Sequence, residues 1–288
     1  MDKMVIGGSD NPFGLLEELM KQLKSGVKTG GQKGLTLNQF NAFLEHRNPF
    51  VQEQSLKVLP YADEEVESTY DYPKGFSIKS VTEQLAIWQK EFPNLDASHV
   101  LDLAKGDLPE GSEGWGVIPK PSKFGNYYQA LEEMLELLGK SRIFQNCREG
   151  ELDEKHLRLK KETADILAKL EAKTPGDYLV IPFQFGLKHR GRSIRRPIGC
   201  FAAKELGFGP FELAALLLTH QDRITGTNHF YIDCAGCEYS LSADGVFVAC
   251  LYFYWVSSDG HLVLDDCALN NGNKQWGYAS GFFQTSVR

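Results

Sequence analysis

The strongest constraint on the fold is an apolar run, Val246–Val256, that follows the dipeptide Asp244-Gly245 and precedes Asp259-Gly260. Asp-Gly pairs between apolar runs are typical of β-hairpin turns. The run has 11 residues, which is too short to span a bilayer, so we expect a buried strand. Apolar segments continue from His229 to the end of the chain. This pattern predicts a mainly antiparallel sheet in the last part of the protein.

The earlier part of the chain has helical periodicity and helix-capping signals instead. Candidate helices begin at Pro12, Thr36 and Ser80, and further ones are predicted over Tyr128–Leu138, Asp153–Ala172, Pro197–Gly207 and Pro210–His220. Tyr178–Gly186 is predicted as a strand. The fold class is therefore α+β, with a helical N-terminal part followed by a β-rich, mainly antiparallel C-terminal part.

A domain boundary is expected where turn-forming residues accumulate. Gly106–Gly125 contains eight Gly or Pro residues, although Trp115–Ile118 could form a short strand there. We expect a helical N-terminal region over residues 1–105, a linker or irregular segment over 106–127, and an α+β domain over 128–288.

Composition narrows the possible classes. The formal net charge of −7 argues against a surface devoted to nucleic acid or membrane. Met1–Asp10 lacks an apolar core behind a basic start, so no export signal is predicted. The six cysteines are too sparse for a disulfide scaffold. We expect a cytoplasmic protein with reduced thiols and no membrane partner.

One basic segment, Lys188–Arg196, contrasts with this acidic composition. Residues 178–204 contain no Asp or Glu and carry a formal charge of +6, which leaves −13 on the rest of the chain. Guanidinium groups match phosphate oxygens, and Gly191 would let the backbone approach a ligand. The segment therefore predicts a phosphate, nucleotide or nucleic-acid site. Its contacting residues would be Lys188, His189, Arg190, Arg192, Ser193, Arg195 and Arg196.

The same charges are equally consistent with internal pairing. The segment is followed by Ile224–Asn273, which has six acidic residues and no Lys or Arg. A basic loop that packs on an acidic sheet would have the same sequence signature as a binding site. The sequence leaves both interpretations open.

Cysteine chemistry is the second possibility. Cys234 follows Asp233, and His189 or His220 could act as its base in a hydrolase or transferase. Cys234-Ala-Gly-Cys237 also has the spacing of a metal-ligand pair, with His220, His229 and Cys267 as weak further candidates. A zinc site commonly has two close pairs, and only one is present here.

Carboxylates and aromatic residues offer two further alternatives. Asp233, Glu238, Asp265 and Asp266 could hold Mg²⁺ if they gather on neighbouring strands. The C-terminal aromatic residues could form a non-enzymatic surface for a protein partner, or could fill a core. The chain contains no Walker or dinucleotide-binding loop, which argues against an ordinary NTPase or dehydrogenase. No cofactor is identified.

Four strings of the chain are Phe185–Arg196, Leu216–His220, Ile232–Gly236 and Ala279–Phe282. They resemble an uncharacterised protein family known from environmental bacterial genomes, over about Tyr72 to Phe283. The resemblance implies an intracellular bacterial protein and no particular activity. Members usually carry an acidic residue where this chain has Cys237, and that departure weakens the zinc interpretation.

Overall fold

The structure is a computed structural model that describes residues 61–197, 201, 204–270 and 272–283. The apolar run supplies one strand of its longest hairpin from Ala249 onward, whereas Val246 and Val248 are exposed and precede the strand. Strand β8 pairs with β9 along its whole length, and Asp259-Gly260 lies in the turn, as predicted. The described residues all belong to one compact unit, Leu59–Arg288. Its strands in chain order are β1 Gly114–Pro119, β2 Phe144–Asn146, β3 Leu157–Leu159, β4 Tyr178–Gln184, β5 Glu205–Gly207, β6 Tyr231–Asp233, β7 Cys237–Tyr239, β8 Ala249–Val256, β9 His261–Ala268, β10 Trp276–Tyr278 and β11 Ser280–Phe282.

These strands form two sheets. The larger has seven strands, with β10-β6-β8-β7-β3 in line and β9 and β2 extending from β8. It is mostly antiparallel, since only the β10–β6 and β2–β9 pairs are parallel. The smaller sheet has the order β1-β4-β11-β5 and is antiparallel throughout. Because β10 and β11 are nearly consecutive in the chain, they connect an edge strand of the larger sheet to an interior strand of the smaller one.

Five α-helices are present in the described residues: α1 Val81–Glu91, α2 Val100–Leu103, α3 Tyr127–Ser141, α4 Lys161–Lys173 and α5 Pro210–Thr219. The capping box predicted at Ser80 begins α1, because the Ser80 hydroxyl accepts the Glu83 N–H while the Glu83 carboxylate accepts the Ser80 N–H. Every residue of α5 is buried, which explains its lack of a polar face. None of the helices in the described ranges is long and apolar enough to cross a membrane.

The expected order of helices first and strands last is wrong within these residues, because helices and strands alternate along the chain. Strand β1 forms inside the Gly- and Pro-rich segment and pairs with β4. Helix α4 begins only at Lys161, since Leu157 belongs to β3 and lies opposite Tyr239. Gly207 ends a strand and not a helix. The helices predicted at Pro12 and Thr36 lie outside the described residues, as do residues 198–200, 202 and 203 of the one predicted from Pro197.

Candidate metal centre

The basic segment lies between two other parts of the same unit. The Gly191 N–H donates to the Trp276 carbonyl on β10 at 2.7 Å, and the Val66 N–H donates to the Gly191 carbonyl at 2.8 Å. Gly191 has φ 77°, and a Cβ there would lie 2.0 Å from the Val66 carbonyl oxygen. The close backbone approach expected at this glycine is therefore to the chain itself.

Carboxylates of the same chain contact most cations of the basic segment. Glu65 pairs with Arg192 at 2.9 Å and with Arg196 at 2.6 Å. Glu64 pairs with Arg195 and accepts the Ser193 hydroxyl at 2.6 Å. The exposed Arg190 donates to the Tyr70 carbonyl at 3.2 Å.

The internal-pairing alternative named the wrong acids. The partners are Glu64 and Glu65, together with Glu205, which pairs with Lys188 at 2.6 Å. None of these lies in the acidic stretch 224–273. The arginines therefore face acidic residues far from them in sequence.

His189 is fully buried and both of its ring nitrogens have partners. Nε2 lies 2.7 Å from the Glu205 carboxylate, and Nδ1 lies 3.1 Å from the Arg192 guanidinium. Since a guanidinium only donates, Nδ1 accepts and Nε2 carries the proton. Burial lowers the pKa of His189, and the charges of Arg192 and Lys188 add to this against the opposing effect of Glu205. This imidazole is held neutral in one tautomer.

The structure does not bring together the predicted Cys–His pair. His220 accepts the Lys79 N–H at 3.0 Å through Nε2, and its Nδ1 lies 3.0 Å from the Leu216 carbonyl. Burial lowers the pKa of His220 to about 4. Among the described residues, no hydrogen bond joins Cys234 to either His220 or His189. Burial also raises the pKa of the Cys234 thiol well above its ordinary value, which disfavours the thiolate.

Within the described residues, the predicted zinc ligands Cys234, Cys237, His220 and His229 do not converge as a group of three or more. The Cys237 thiol donates to the Cys234 carbonyl at 3.3 Å, whereas His229 accepts the Thr225 N–H at 3.0 Å. Of the four acids considered for Mg²⁺, Glu238 pairs with Arg158 at 2.7 Å. Asp265 and Asp266 share Arg148, at 2.6 and 2.5 Å.

A different set of potential ligands does converge. Asp233 on β6, Cys250 on β8 and Cys267 on β9 place one ligand atom each within 4.8 Å of one another. Cys250 and Cys267 lie directly opposite in the hairpin, with their sulfur atoms 3.4 Å apart. The Cys267 thiol lies 3.8 Å from Asp233 Oδ1. We call these three residues the Asp-Cys-Cys cluster.

The carboxyl group in this cluster has an unusual environment. Asp233 is only 1% exposed. No Lys, Arg or His side chain forms an ion pair with it in the described part of the chain. Burial raises the pKa of Asp233 well above its ordinary value, opposed by the hydrogen bond from Cys267. A buried carboxylate is normally paired with a cation or bound to a metal.

Two members of the cluster were candidates from the sequence, but in different sites. Asp233 was expected beside Cys234 or with other carboxylates around Mg²⁺, and Cys267 with the Cys234–Cys237 pair, whereas Cys250 was not considered as a ligand. The sequence signal that could have identified the cluster was the predicted hairpin, because its register decides which cysteines lie opposite each other.

The chain matches no protein-family model, no curated protein and no solved structure. The resemblance to an uncharacterised bacterial family therefore stays a prediction.

Proposed function

We propose that this protein binds a thiophilic divalent metal ion, with Zn²⁺ as the best fit, through the Asp-Cys-Cys cluster. The observation that carries the proposal is a buried carboxyl group that has no cationic partner among the described residues and lies beside two facing thiols. Two thiolates and one carboxylate form a donor set that zinc accepts. The metal would compensate the Asp233 charge and connect β6 to the β8–β9 hairpin.

The distances support a tetrahedral site. Zinc–sulfur bonds of about 2.3 Å and zinc–oxygen bonds of about 2.0 Å place neighbouring ligand atoms roughly 3.5–3.8 Å apart. The sulfur–sulfur distance of 3.4 Å and the sulfur–oxygen distance of 3.8 Å are close to these values. The third pair of ligand atoms, on Cys250 and Asp233, lies within 4.8 Å, so the three residues can supply three of the four coordination positions. The fourth would be open to water or to a further ligand.

Metal titration of the reduced, chelator-treated full chain tests this proposal. We expect one equivalent of Co²⁺ to produce the near-ultraviolet absorption of a thiolate-bound ion, and Zn²⁺ to displace it. Cys267→Ser and Asp233→Asn should each weaken Zn²⁺ binding by about a hundredfold or more. Asp233→Asn is the sharper variant, because it keeps the side-chain shape but cannot supply the negative charge that a bound metal requires.

Cys147→Ser is the matched control, since Cys147 is an exposed thiol outside the cluster. It should bind metal like the wild type. An Asp233→Asn protein with unchanged affinity would overturn the proposal, and so would binding that depends on Cys234 and Cys237.

Recognition of phosphate, a nucleotide or nucleic acid by the basic segment stays a prediction. Such a ligand would have to displace Glu64 and Glu65 from their arginines. Titration with an oligonucleotide at low salt tests it. The prediction requires an affinity that falls as salt rises and is lost in Arg192→Ala/Arg195→Ala. A chain that binds no oligonucleotide at low salt contradicts it.

A role as a protein-interaction module also stays a prediction. Phe253 and Tyr278 fill the core, as do Phe282 and Phe283. Tyr252, Tyr254 and Trp276 are partly exposed on one face of the larger sheet, where Tyr252 stacks on Tyr254 at 4.8 Å. Four C-terminal aromatic residues, Phe253, Tyr278, Phe282 and Phe283, therefore serve packing.

A further inference from the structure

The basic segment packs against the same face of the larger sheet as the Asp-Cys-Cys cluster. Ile194 is buried in a small apolar cluster with Ala235, Cys250, Cys267 and Tyr278. The His189 ring stacks on Tyr278 with the ring centroids 4.5 Å apart. Tyr278 itself lies beside Asp233 in the β10–β6 pair. The segment therefore contributes to the exclusion of solvent from the two thiols and the carboxyl group.

Charge, more than apolar area, holds this segment in place. Of its nine residues, Ile194 alone has a purely hydrocarbon side chain, and Gly191 has no side chain. Its ion pairs reach Glu64 and Glu65 on one side and Glu205 on the other. The Glu64 and Glu65 pairs include side chains that are partly exposed, so salt can screen them.

We infer that Lys188–Arg196 is an electrostatically held cover that controls access to the Asp-Cys-Cys cluster. The regulation of metal entry by this cover rests on the proposed function. The control of access to the two thiols does not depend on it. The ion pairs of Glu64 and Glu65 with the segment's arginines are the ones that can break to release it. Glu205 is the fixed side, because its side chain is fully buried.

A covering role is consistent with the pairing of most cations of the segment with carboxylates of the same chain. Glu65 accepts from two arginines at once, and the Arg196 side chain beside it is only 4% exposed. Loss of the Glu65 charge would leave a buried guanidinium without that partner, which favours its movement into water. An anion or high salt that competes for these arginines would act in the same direction. Metal exchange would then respond to ionic conditions.

Thiol labelling of the metal-free full chain tests the inference. In Glu64→Gln/Glu65→Gln, we expect the labelling of Cys250 and Cys267 by iodoacetamide to be about tenfold faster than in the wild type. Added KCl should accelerate labelling of the wild type and have little effect on the variant. Because Ile224–Asn273 contains no Lys or Arg, digestion after aromatic residues separates the cysteines for mass spectrometry.

Two controls are built into the chain. Cys234 and Cys237 are fully buried members of the main core cluster and not of the small cluster that contains Ile194, so they report general unfolding. Asp165→Asn removes a surface pair with Lys161 and should change no labelling rate. Equal acceleration at all four cysteines, or no acceleration and no salt effect at Cys250 and Cys267, would overturn the inference. Because labelling needs no metal, a failed metal titration leaves this result unaffected.

Discussion

Replacement of Arg223 by methionine is expected to lower the free energy of unfolding by about 3 kcal/mol, because a buried donor with two acceptors is removed. Arg223 is fully buried. Its guanidinium donates to the Phe230 carbonyl at 2.9 Å and to the Phe185 carbonyl at 3.1 Å. The methionine fills much of the volume, so the lost stability reports the two carbonyl oxygens that remain without their donor.

An aromatic ring and a nearby acid compensate the Arg223 charge. The guanidinium carbon lies 4.2 Å from the centre of the Tyr72 ring, whose hydroxyl donates to Glu113 at 2.6 Å. Burial lowers the pKa of Arg223 to about 10, against the opposing effects of Tyr72 and Glu113. The side chain therefore remains charged at neutral pH. Glu113 in turn accepts the Phe185 N–H at 3.0 Å, so the network ties β4 to the segment before α1.

Urea denaturation followed by circular dichroism measures this effect. Arg158→Met is the matched control, because its side chain is 53% exposed and pairs with Glu238 at the surface. The control should lose less than about 1 kcal/mol. If both variants lose the same free energy, the buried guanidinium has no special role in stability.

Replacement of Glu205 by glutamine is expected to lower the free energy of unfolding by about 2–3 kcal/mol at pH 7, since buried charge-assisted hydrogen bonds are lost. Glu205 accepts from His189 at 2.7 Å and from Lys188 at 2.6 Å, and also from the Ser280 hydroxyl. An amide can accept at one atom only. Its NH₂ group would therefore face a donor that the carboxylate now satisfies.

The loss is expected to depend on pH in a definite direction. Burial raises the pKa of Glu205, but the hydrogen bonds and charges of His189, Lys188 and Ser280 lower it more, from 4.5 to about 2. A lowered carboxyl pKa means that stability is present above the unfolded value and is lost as pH falls from 4.5 toward 2. The difference between wild type and Glu205→Gln should therefore shrink over this range.

Urea midpoints of both proteins at pH 7, 4.5 and 2.5 test the prediction. Glu136→Gln serves as the control, because Glu136 forms an exposed pair with Lys140 on α3. Its midpoint should follow that of the wild type at each pH. A Glu205→Gln protein whose deficit is constant from pH 7 to 2.5 would show that the carboxylate charge is not the stabilising element.

Local features of this protein follow from local sequence. The capping box at Ser80 begins a helix, and the Pro210 segment forms the buried helix that its apolar composition requires. The Asp259-Gly260 turn joins two strands. In each case the interacting groups lie a few residues apart, so that hydrogen-bonding geometry and hydrophobic periodicity are sufficient to predict the element.

The Asp-Cys-Cys cluster depends on a register that the turn residues alone do not specify. A two-residue turn at Asp259-Gly260 would place Cys250 opposite Leu269. The turn has four residues, 257–260, and this shift places Cys250 opposite Cys267. Asp233 then joins them because β6 pairs with β8. A change of two residues in the turn would separate the thiols, since register determines every cross-strand neighbour.

The basic segment separates what the charge pattern of the sequence determines from what tertiary packing determines. The excess of arginine in Lys188–Arg196 already required compensating negative charge, from a ligand or from the chain itself. Only the tertiary structure selects Glu65, which lies 127 residues before Arg192 in the sequence. The charge pattern of a sequence shows how much negative charge the arginines need, but not where along the chain that charge lies. Long-range packing alone therefore decides which acidic residue supplies it.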